Sequence, residues 1–115
     1  MKLKWILPLL VSSVAVFAEN VQFDRTGTLR FGEHKLEFVA FTPKWRGYRQ
    51  GGPERRFFHP VELNQGRAKI ELRLPESSLG ISCGELAKSG DREWRYTFRA
   101  SFDSDTPLRS GVLAL

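Results

Sequence analysis

From Glu93 to Phe102 the chain reads EWRYTFRASF, with Trp94, Tyr96, Phe98, Ala100 and Phe102 on every second position and Glu93, Arg95, Thr97, Arg99 and Ser101 between them. Successive side chains of a β-strand point to opposite faces, so a period of two builds one aromatic face and one charged face. A helix would scatter the same rings around its whole circumference. This run therefore demands a sheet with a covered face, and Trp94, Tyr96 and Phe98 are expected in its core.

Other short segments carry the same signature more weakly. Val21 to Phe23 and Thr28 to Phe31 flank the turn sequence DRTG, where Gly27 can take a positive φ. A second turn at Gly32 and Glu33 leads to a strand whose Leu36, Phe38 and Ala40 alternate with Glu37 and Val39. Residues 42–56, TPKWRGYRQGGPERR, hold three glycines and two prolines and read as a long loop, a kind of segment that often carries function. Phe57 to Leu63 fits a strand that Pro60 confines to a sheet edge. Ile70, Leu72 and Leu74 alternate with Glu71 and Arg73, and PESS ends that strand. Leu79 to Cys83 is a weaker strand, Gly84 to Gly90 reads as a turn or a single helical turn, and Leu108 to Leu115 starts a last strand. Seven or eight short strands at this spacing predict an all-β fold, an antiparallel β-sandwich. The last strand starts at Leu108 and runs to Leu115, so the sandwich is expected to be incomplete at its C-terminus and the chain to be the N-terminal part of a longer protein.

The first 18 residues read differently. Lys2 and Lys4 form a basic start, an apolar stretch runs from Trp5 to Phe17, and Val16 and Ala18 supply small residues at the positions a signal peptidase reads. The stretch is shorter than the roughly 20 residues needed to span a bilayer, and Pro8 interrupts it. Residues 1–18 are thus expected to be a signal peptide, with a retained anchor as the alternative, and residues 19–115 one domain in the periplasm or outside the cell. Loss of Lys2 and Lys4 lowers the formal charge from +5 to +3, and export argues further against nucleic acid as a partner. No membrane contact is expected after cleavage. Cys83 is the only cysteine, so no internal disulfide reinforces the fold.

The most suggestive chemistry lies in the 42–56 loop. Trp45 and Tyr48 stand among Lys44, Arg46, Arg49, Arg55 and Arg56, with Glu54 the single acid. A flat ring can stack on the apolar face of a sugar while guanidinium groups donate to its hydroxyls, so Trp45, Arg46, Tyr48 and Arg49 are the candidate ligand-binding residues. The competing reading folds Trp45 over the open end of the sandwich and leaves the arginines solvated. Asp103 and Asp105 suit turn capping better than calcium, since the other oxygen ligands of a calcium loop are missing. Glu71 and Glu93 could pair across a sheet, but a retaining glycosidase needs its carboxyls about 5–5.5 Å apart in a cleft. His34 and His59 lack a second ligand at zinc spacing, no nucleophile motif is present, and Cys83 reads as a structural thiol. No catalytic residue, metal or cofactor is assigned.

The order TGTLRFGEHKLEFVAFTPKW, then ELRLPES, then WRYTFRASFDSDTPLRSGVLAL resembles the N-terminal β-sandwich region that precedes the catalytic domain in some large bacterial secreted glycoside hydrolases. The resemblance covers most of residues 21–115. It implies a non-catalytic accessory module that packs against a catalytic domain or partner chain on its open sheet and contacts carbohydrate through the basic aromatic loop. The catalytic carboxylates would then lie beyond Leu115. The alternative is a self-sufficient exported binding protein for an acidic glycan or a partner protein.

Overall fold

The computed structural model describes residues 9–42, 44–75, 79–102 and 110–114. The basic start of the leader, the Glu76–Ser78 part of PESS, and Asp103 and Asp105 lie outside the described residues. Ten strands are present among those described: β1 (Leu9–Phe17), β2 (Val21–Phe23), β3 (Leu29–Phe31), β4 (His34–Phe41), β5 (Gly47–Arg49), β6 (Phe58–Leu63), β7 (Arg67–Arg73), β8 (Leu79–Lys88), β9 (Glu93–Phe102) and β10 (Ser110–Ala114). A single 3-10 turn, Arg55–Phe57, precedes β6. One sheet runs β1-β9-β8-β7-β6, and the other runs β10-β4-β3-β2 with β5 also on β4; all pairs are antiparallel. The all-β reading holds.

The aromatic run does what its period requires. Tyr96, Phe98 and Ala100 are buried and Trp94 packs against the same core, which also takes Ile70 and Leu72 of β7. From the facing sheet come Leu29, Leu36, Phe38 and Ala40. Phe38 meets Phe98 at a ring-centroid distance of 5.0 Å, and Phe23 meets Tyr96 at 6.1 Å, so aromatic pairs join the two layers. Burial pushes the Tyr96 phenol well above its ordinary range, with a smaller contribution from Cys83.

Two expectations are corrected. Gly84 to Lys88 is no turn, because β8 continues through it to Lys88. Of its inward positions Gly80, Ser82, Gly84 and Leu86, the first three are too small to give an apolar alternation. At Gly84 the size has a reason: a Cβ there would lie 2.8 Å from Cε1 of Tyr96, so the glycine makes room for that ring. The long loop of residues 42–56 contains β5 and the 3-10 turn instead of remaining structureless. Glu37, which the alternation sets on the face opposite Leu36, Phe38 and Ala40, is also buried, since the segment that follows β5 covers the second face of β4.

The edges differ. β6 carries Pro60 and a register shift between Pro60 and Glu62, the two devices that blunt an exposed edge. At the opposite edge β1 pairs with β9 without interruption from Leu9↔Ser101 to Phe17↔Glu93. Val16 enters the core, the Ala18 amide donates to the Arg92 carbonyl at 3.0 Å, and Trp94 Nε1 donates to the Ala18 carbonyl at 3.1 Å.

The β2–β3 turn is organised by Asp24. Its Oδ1 accepts from the Thr26 amide, the Thr26 hydroxyl and the Thr28 amide, and its Oδ2 from Arg30 Nε at 2.8 Å. Gly27 holds φ 81°, and a Cβ there would meet Ile70 Cδ1 at 2.7 Å, so both conformation and space call for glycine. Burial pushes the Asp24 carboxyl up, but the hydrogen bonds from Thr26, Arg30 and Thr28 together outweigh it and hold it below its ordinary value. A depressed carboxyl contributes stability that is present above the unfolded pKa and lost as pH falls through the folded one. Asp24→Asn is expected to cost about 1–2 kcal/mol at pH 7, with the deficit shrinking below about pH 4. Urea unfolding across that range measures it, and a deficit unchanged at low pH would show that the charge is not the cause.

Candidate functional site

The corner between β4 and β5 holds the residues singled out in the basic loop. Thr42 is fully buried and pins the corner: its amide donates to the Arg46 carbonyl at 3.0 Å, its carbonyl accepts from the Trp45 amide at 2.8 Å, and its hydroxyl accepts from the Arg46 amide at 3.3 Å. Within that frame Trp45 is held at φ 63°. Among the described residues it is the only non-glycine with a positive φ, a conformation that a bulky side chain adopts only when its surroundings impose it.

Trp45 is 59% exposed, with Lys44 and Arg46 exposed on either side. Its ring tilts against Phe41 at a centroid distance of 6.1 Å. Phe41 in turn lies close to Gly47, where a Cβ would sit 3.1 Å from Cε1 of the ring. The corner therefore presents an outward tryptophan backed by a second ring, between two cations. Phe41, the last residue of β4, is a member of this site that the alternation of the strand does not single out.

Tyr48 and Arg49 do not join Trp45. β5 pairs Tyr48 with Ala40 and Arg49 with Val39, and its alternation sends the two side chains to opposite faces. The Tyr48 ring is 1% exposed and packs edge-on against Phe57 at 5.3 Å, with the Arg46 guanidinium 5.5 Å from its centroid. It is a core residue, and its ring is closed to a ligand.

Arg49 is spoken for by a buried acid. Its Nε donates to Glu37 Oε1 at 2.8 Å and its Nη2 to the same oxygen. Glu37 Oε2 accepts from the Gly51 amide at 3.0 Å and has Lys35 Nζ at 3.7 Å. Beside it Gln50, also buried, accepts from the Phe38 amide at 3.4 Å and donates to the Thr26 carbonyl at 2.8 Å. A Cβ on Gly51 would come within 2.9 Å of both Glu37 Oε2 and Thr28 Oγ1, so the loop reaches the carboxylate because that residue is glycine. This network ties the segment after β5 to the β2–β3 turn. Of the remaining loop cations, Arg55 donates to the Gly52 carbonyl at 3.3 Å and Arg56 lies 4.4 Å from the Phe57 ring centroid.

Glu71 and Glu93 are not brought together. The row that contains Glu71 passes through Ile81 to Ser101, at the opposite end of β9 from Glu93. Among the described residues no three His, Cys, Asp or Glu side chains gather as a metal site, and no helix is long and apolar enough to cross a membrane. No protein-family model, curated protein or solved structure matches the chain.

Proposed function

We propose that this chain is a non-catalytic β-sandwich module of an exported carbohydrate-active enzyme, and that it contacts glycan through Trp45, with Lys44 and Arg46 as flanking donors. The observation that carries the reading is the exposed Trp45 ring, fixed at a positive φ by the hydrogen bonds of Thr42 and backed by Phe41. A rigid ring loses little freedom when a sugar stacks on it, and a rotamer-rich side chain loses more. Residues 1–18 direct the module out of the cytoplasm and are then removed. Its ligand surface is smaller than the sequence alone indicates, because Tyr48 fills the core and Arg49 neutralises Glu37.

Calorimetric titration of the protein with neutral and uronic-acid oligosaccharides tests the proposal. Trp45→Ala is expected to weaken binding by about 10-fold or more, as truncation of an aromatic anchor does. Arg46→Ala is expected to matter most for the acidic sugars at low salt, where an exposed cation is least screened. Binding that survives Trp45→Ala unchanged moves the contact elsewhere. Absence of binding to both glycan classes leaves a partner protein as the alternative ligand of this corner.

A further inference from the structure

The segment that reads as a leader is also the strand that closes one edge of a sheet. Both descriptions hold if they belong to successive stages of one chain. We infer that β1 is a placeholder on the edge of β9, and that after cleavage at Ala18 the same edge of a second copy takes its place. This rests on the export reading given above.

Three observations support it. First, β9 is built to be covered. It runs for ten residues without proline, and its pairing with β1 contains no bulge, whereas β6 at the other edge has both Pro60 and a register shift. A long, regular, apolar edge is a template for another strand. Second, β1 leaves a gap on the side facing the second sheet. An open groove of about 350 Å³ lies there, lined by Val14, Val16, Phe17, Phe31 and Leu36, and Phe17 is 73% exposed. The seat is occupied but not filled.

Third, β9 is complementary to itself. An antiparallel pair of β9 strands related by a two-fold axis through Tyr96 sets Trp94 opposite Phe98 of the second copy, Arg95 opposite Thr97, and Glu93 opposite Arg99. Paired positions have the same parity, so the apolar faces stay together, and two acid–base pairs form across the polar face. Centring on Thr97 instead would bring Arg95 against Arg99 of the second copy, which disfavours that register. The self-pairing also supplies what β1 supplied: Arg95 now donates to the Ser13 hydroxyl at 3.4 Å and would find the Thr97 hydroxyl opposite it.

The test compares two forms of the chain by sedimentation velocity at micromolar concentration. Full-length chain from membrane-free translation keeps residues 1–18 and is expected to be a monomer; chain exported from a bacterial host, with its N-terminus confirmed by intact mass, is expected to be a dimer. A synthetic peptide of residues 9–18 in excess should convert that dimer to a monomer. Arg99→Glu should weaken the exported dimer by about 10-fold or more, and adding Glu93→Arg should restore it, which distinguishes the register from unspecific aggregation. A chain that is not exported, or that is exported with residues 1–18 retained, overturns the signal-peptide reading and this inference together. A processed chain that is monomeric, or a dimer that ignores both the peptide and the charge exchange, overturns the inference and leaves export standing.

Discussion

Replacing Phe98 by alanine is expected to cost about 3–5 kcal/mol, the range for truncating a buried phenylalanine, out of a total that for a small domain is typically about 5–15 kcal/mol. Phe98 is 2% exposed, meets Phe38 of the facing sheet at 5.0 Å and Tyr96 along its own strand at 6.3 Å. Its truncation removes apolar contact from both layers at once, and the neighbouring position on β8, Gly84, has no side chain to move into the space. The apparent melting temperature should fall by on the order of 10–20 °C. Val61→Ala is the control: that side chain is 60% exposed, and its truncation should change stability by no more than about 0.5 kcal/mol. Urea unfolding of both variants measures the difference. Equal losses would mean that the aromatic face of β9 is not where the core lies.

Which features were legible follows from how much of each was local. The strand from Glu93 to Phe102 declared itself because five apolar residues alternate over ten positions, and its burial is decided by that pattern whatever the rest of the chain does. β8 hid because three of its four inner residues are glycine or serine, and Gly84 is small to make room for Tyr96, a constraint that exists only once the strands are paired. β5 hid because three residues cannot show a period, and only its pairing with Val39, Ala40 and Phe41 makes it a strand.

The candidate site divides along the same line. Trp45, Arg46, Tyr48 and Arg49 are equivalent in composition, but pairing with β4 buries Tyr48 and turns Arg49 toward Glu37, while the positive φ of Trp45 leaves its ring outside. No local signal separates Trp45 from Tyr48. One did bear on Glu37: an acid within the otherwise apolar LEFVAF, followed twelve residues later by an arginine, admits a buried pair as well as an outward face. Choosing between those readings requires knowing that the chain returns across the second face of β4.

That buried pair gives the second large effect. Arg49→Ala is expected to cost about 3 kcal/mol, the low end of the range for stranding a buried charge, because the arginine itself is half in water and only Lys35 remains near the acid. Glu37→Gln removes the charge and leaves an oxygen for the Gly51 amide, so it should cost less. The informative variant is the double one. With no carboxylate to strand, Arg49→Ala on the Glu37→Gln background should cost about 1–3 kcal/mol less than it does alone, and this difference is the coupling energy of the pair. Equal costs on both backgrounds would mean that Arg49 acts through packing alone. In that case its side chain would again be available to a ligand, and the glycan surface would have to be redrawn to include it.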